Sequence, residues 1–105
     1  MHRFLKWRDA ILLAPDYPAL IALMSDYVNN IPIEQRARLP QECQRVLQYA
    51  DDVSGAAVTL LQTELTFNGD QEVAALLHEI AHTFASAAFR LGQLTHRDLP
   101  SAPIK

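Results

Sequence analysis

The stretch LQTELTFNGDQEVAALLHEIAHTF, residues 61–84, decides the fold of this chain. Apolar residues recur at spacings of three and four on both sides of NGD, residues 68–70, which is the helical period. Asn68 or Gly69 can take the left-handed conformation that ends a helix. Asp70 can cap the next one, with Glu72 favourably placed in its first turn. Two long helices joined by so short a connection are antiparallel neighbours.

Upstream of NGD the pattern extends back to Pro40. One helix is expected over residues 40–67, with Val46, Tyr49, Ala50, Val53, Ala57, Leu60 and Leu61 on its stripe. Gly55 weakens its middle by about 1 kcal/mol relative to alanine. Downstream, the second helix is expected to reach about Leu94. At ~1.5 Å per residue each would span roughly 35 to 40 Å. NNIPIEQRARLP, residues 29–40, reads as a connector with a short helical turn around Glu34 to Arg38. Before it, Leu20, Leu23, Met24, Tyr27, Val28 and Ile31 mark a shorter helix that Asp16 can cap and Pro18 can open. A first helix over residues 3–13 carries Phe4, Trp7 and Ile11. No stretch alternates as a strand does. The expectation is an all-α antiparallel bundle: two long helices in a hairpin plus two shorter N-terminal helices. It forms one domain over residues 1–94, followed by a flexible C-terminal tail, 95–105.

Composition narrows the function classes. The chain has 105 residues, half of them hydrophobic, so a core is possible; its net charge is −3. An acidic balance gives no general pull toward nucleic acid. Arg3, Lys6 and Arg8 form one small basic cluster and Arg36, Arg38 and Arg45 another, both too sparse for a phosphate-binding face. Cys43 is the sole cysteine, which excludes an intramolecular disulfide and fits a reducing compartment. The apolar run at residues 10–14 is too short for a signal-peptide core, and the longest pure apolar run, residues 19–24, is far below membrane-spanning length. The expectation is a cytoplasmic protein with no nucleic-acid or membrane partner.

On a helical wheel Val73, Leu76, Leu77, Ile80, Phe84 and Leu91 share one face, and Glu79, Thr83, Ser86 and Arg90 form a narrow polar strip. The remaining arc holds Ala75, His78, Ala81, His82, Ala85 and Phe89. A helix apolar nearly all round packs on more than one side. The two short helices cannot enclose a hairpin of this length, so a second copy is expected to cover part of it. That homodimer interface would involve Ala81, His82, Ala85 and Phe89.

His78, Glu79 and His82 form H-E-x-x-H. Two histidines at i and i+4 project from one side of a helix and can share one zinc, while the glutamate between them can polarise a metal-bound water. With the uncharged residues around them, Ala75, Leu76, Ile80, Ala81, Thr83 and Phe84, these residues resemble the zincin metallopeptidases over about ten positions. The resemblance implies His78 and His82 as zinc ligands and Glu79 as the catalytic residue. It also implies a third ligand and a sheet whose edge strand holds the substrate. The chain departs from the pattern. Ala85 and Ala88 stand where the metzincin branch has a glycine and a histidine, and downstream only His96 and Asp98 could serve as ligand. Glu79 and His82 also form an E-x-x-H that resembles half of the ferritin-like di-iron motif, a family that uses two such motifs and two further glutamates. Pairing the helices about residues 68–69 sets His82 near Ser54 and Gly55 and His78 near Thr59, with Asp51 and Asp52 a turn beyond. No set of four carboxylates forms that way.

Glu64 lies on the apolar stripe near the hairpin tip and is expected to face solvent. Cys43, in the first turn of its helix, could gain thiolate character from the helix N-terminus. Trp7 and Phe4 beside Arg3, Lys6 and Arg8 read first as a core-facing aromatic stripe and second as a membrane-surface helix. The leading expectation is a non-enzymatic helical interaction or accessory protein, regulatory, chaperone-like or encoded by a mobile element. It would act through protein contacts, without a cofactor. The alternative is a zinc-dependent hydrolase or metal-binding bundle built on His78, Glu79 and His82.

Overall fold

The structure is a computed structural model that describes residues 2–49 and 52–98, with side chains from Lys6 to Tyr49 and from Asp52 to Thr95. Six helices follow in order: α1 (His2–Leu12), α2 (Tyr17–Asn29), α3 (Ile33–Ala37), α4 (Gln41–Leu47), α5 (Val53–Thr66) and α6 (Gln71–Asp98). Among the described residues there is no strand. The fold is all-α, and α5 and α6 are the most closely packed pair. No helix among these residues is long and apolar enough to cross a membrane.

The helix expected over residues 40–67 is instead two. Its first part ends at Leu47 with Gln48 as the capping residue, and α5 starts afresh with Asp52. The reason is local: the Asp52 carboxylate accepts a hydrogen bond from the Gly55 N–H at 3.2 Å, a helix-start geometry that competes with helix continuation. The hydrophobic stripe runs unbroken through this point, so the stripe alone suggested one helix. Downstream, α6 is longer than expected, because residues 95–98 continue the helix rather than beginning a loose tail. Nothing in the sequence disfavours helix there before Pro100. Residues 99–105 lie outside the described residues.

The caps at α2 and α6 form as the sequence suggests. Asp16 accepts from the Ala19 N–H at 2.9 Å, with Pro18 in the first turn. Asp70 accepts from the Glu72 N–H at 2.7 Å and shares Arg38 with Glu72, which ties the end of α3 to the start of α6.

The central element is α6, which packs against α5, α1 and α2, while α4 lies on α5. Ile11, Leu20, Met24, Tyr27, Leu60, Leu77, Ile80 and Phe84 are wholly buried. Trp7 packs edge-on to Tyr27, with ring centroids 5.6 Å apart, so it faces the core rather than a membrane surface. The buried Thr83 hydroxyl donates to the Glu79 carbonyl at 2.7 Å and is thereby satisfied. Arg90 donates to the Ala14 carbonyl through Nε and a terminal nitrogen, at 2.9 and 2.7 Å. That clamp fixes the α1–α2 corner on the second half of α6.

Candidate metal centre

His78 and His82 stand one turn apart on α6, with ring centroids 4.2 Å apart. Glu64, in the last turn of α5, reaches both. One carboxylate oxygen contacts His78 Nδ1, and the other lies 3.3 Å from His82 Nε2. Glu64, His78 and His82 each offer one ligand atom, and the three atoms lie within 4.8 Å of one another. Around a tetrahedral zinc with bonds of roughly 2.0–2.1 Å, ligand atoms stand about 3.3 Å apart. The separation between Glu64 and His82 already matches.

Glu64 corrects two expectations. It does not stand free in solvent at the hairpin tip: its side chain is 24 % exposed and held between the imidazoles. The α5 group that reaches the histidines is therefore Glu64, not Ser54, Gly55 or Thr59. Helical side chains lean toward the N-terminus of their own helix. In an antiparallel hairpin Glu64 thus leans away from the tip while the histidines lean toward it, so residues that appear offset by more than a turn converge. The signal was present in the sequence. Glu64 is a carboxylate on an apolar stripe, facing the only helix with an i, i+4 histidine pair.

The electrostatics favour a cation. Carbonyl groups at a helix C-terminus carry partial negative charge, so a carboxylate in the last turn of α5 adds to an already negative end. Positive charge nearby offsets both. Two imidazole nitrogens and one carboxylate oxygen form a donor set suited to zinc and related transition metals.

Glu79 does something else. Its Oε2 accepts a hydrogen bond at 2.9 Å from the hydroxyl of Tyr27, a buried residue of α2. It is not part of the converging group, so the glutamate of H-E-x-x-H faces α2 while Glu64 supplies the carboxylate at the histidines. The E-x-x-H reading fails for the same reason. Asp52 serves as the α5 cap; Asp51 and the side chains of His96 and Asp98 lie outside the described residues.

Beside the histidines runs a groove of about 480 Å³. Arg8 and Leu12 of α1 form one wall; Ala85, Ser86 and Phe89 continue from His78 and His82 along α6. Of the four residues expected at an interface, Ala81 is wholly buried within the chain and does not reach the surface. Ala85 and His82 are partly exposed, and Phe89 is 62 % exposed. Cys43 is buried, and its thiol does not gain the thiolate character that the helix start suggested. Burial pushes its thiol above the ordinary value, and Glu42 adds to this, against a smaller lowering by a hydrogen bond with Thr63. Desolvation by burial is the largest of these contributions.

Comparison with protein-family models, with curated proteins and with solved structures finds no match to this chain.

Proposed function

We propose that this chain is a small helical accessory protein that binds a zinc-type divalent cation through Glu64, His78 and His82. The observation that carries the reading is the convergence of a carboxylate and two imidazoles from two different helices. Three protein ligands leave a fourth position open, as in exchangeable or catalytic zinc sites. Peptide hydrolysis of the zincin kind is disfavoured, because the Glu79 carboxylate, which would have to face a metal-bound water, accepts from the Tyr27 hydroxyl of α2, and no edge strand is present among the described residues. The test is metal analysis of untagged protein together with calorimetric zinc titration. One zinc per chain is expected, and Glu64→Gln should weaken binding at least tenfold. The double variant His78→Gln, His82→Gln should bring it to background. A wild-type chain that binds zinc no better than this double variant would overturn the reading.

A second reading is self-association through the same strip of α6. It is favoured by Phe89, a large apolar side chain left 62 % exposed beside Leu12 and Ala85. Sedimentation equilibrium at micromolar concentration is expected to give a dimer that Ala85→Arg converts to monomer. A wild-type monomer would end this reading without touching the metal site.

A further inference from the structure

Arg38 and Arg90 are fully engaged, the first by Asp70 and Glu72, the second by Gln93 and the Ala14 carbonyl. Arg8 is different. Among the described residues no hydrogen bond or ion pair engages it. The positions one turn away on α1 are Phe4, Leu5, Ile11 and Leu12, so no carboxylate of its own helix can neutralise it by the usual spacing. Arg8 nevertheless lines the groove that begins at the two histidines, and among the described residues no acidic one lines that groove.

The charge balance follows. A dication at the histidines would be half neutralised by Glu64, leaving one positive charge, and Arg8 adds another. The rest of the wall is apolar or small, formed by Leu12, Ala85 and the exposed ring of Phe89, with the Ser86 hydroxyl as the other polar group. A volume of about 480 Å³ lies within the usual range for small-ligand sites, roughly 300–1,000 Å³.

We infer that this groove receives a small organic carboxylate bearing an aromatic or branched apolar group. Its charged end meets Arg8 and the open position of the metal, and its apolar end lies on Leu12 and Phe89. The inference rests on the metal reading and goes beyond it. Arg suits a carboxylate because its planar guanidinium donates two parallel hydrogen bonds. The exposed aromatic ring, of little use to folding, then has an apolar partner.

The test uses the full chain saturated with Co²⁺, whose visible spectrum reports on the coordination of the ion. Phenylacetate, acetate and 2-phenylethanol are titrated in parallel. Phenylacetate is expected to perturb the cobalt bands saturably and to bind at least tenfold more tightly than acetate. 2-Phenylethanol, which lacks the charge, should leave the bands unchanged. Arg8→Gln should weaken phenylacetate tenfold or more, and Phe89→Ser should bring it down to the level of acetate. If cobalt binds but phenylacetate is no better than acetate, or if Arg8→Gln has no effect, the inference is overturned while the metal site stands. If wild-type protein takes up no cobalt, the metal reading itself has failed and the inference falls with it. A cobalt-loaded dimer that phenylacetate neither binds nor dissociates would assign the groove to a second copy and overturn the small-ligand proposal.

Discussion

Leu77, Ile80, Phe84 and Ala87 on α6 are wholly buried, whereas His78, His82, Ala85 and Phe89, one to three residues away in sequence, border an open groove. The first set is enclosed by α5, α1 and α2 and contributes to stability through lost contact with water. The second set lies along a strip that α1 and α5 flank without covering. Residues there are free of the packing constraint, and Glu64 meets His78 and His82 there. Glu64 and Glu79 make the same contrast. Glu79 is joined to a buried tyrosine and helps to fix α2 on α6, while Glu64 is joined to two solvent-accessible histidines at the edge of the groove.

The sharpest way to break this contrast is to truncate a phenylalanine on each side. Phe84→Ala removes a wholly buried ring and should cost about 3–5 kcal/mol in urea unfolding. Phe89→Ala should stay within about 0.5 kcal/mol. Equal losses would show that the strip is part of the core.

Next in size is the effect of metal on stability. A ligand that binds only the folded chain, at about 100 times its dissociation constant, stabilises by about 2.7 kcal/mol. Excess zinc should therefore raise the thermal midpoint of wild-type protein, and a chelator should reverse the rise. In Glu64→Gln most of the rise should vanish. A rise of the same size in that variant would place the zinc elsewhere.

Tyr27→Phe probes the other glutamate. Losing a hydrogen bond to a carboxylate should cost about 1–3 kcal/mol of stability, with zinc affinity changed less than twofold. A large loss of zinc affinity in this variant would return Glu79 to the metal site.

The smallest effect concerns Cys43. Because burial raises its thiol, the folded chain holds that proton to higher pH than the unfolded chain does. The unfolded state then releases it first, so stability falls as pH rises past the ordinary thiol value of roughly 8.5 and toward the raised one. Wild type should lose more stability than Cys43→Ala between pH 8 and 10 (about two units of scan around that value), and a thiol reagent at pH 7 should react only slowly. Identical pH slopes would mean that the thiol is not desolvated.

Helix spacing and the caps at Asp16 and Asp70 are local properties, and so is the stop before NGD, although the chain makes it with an extended Phe67 and not with Asn68 or Gly69 in the left-handed conformation. Each depends on residues within four positions of one another, and the sequence determined them, along with the all-α class. The start of α5 was legible too, in Asp52 and Gly55, but the continuous apolar stripe pointed the other way. The meeting of Glu64 with His78 and His82, and of Tyr27 with Glu79, was decided only by tertiary structure. Both depend on how far side chains lean along antiparallel or crossing helices, and on which side of α6 each neighbour occupies. An i, i+4 histidine pair fixes two ligands by helical geometry. The third comes from another helix, and only packing brings it there.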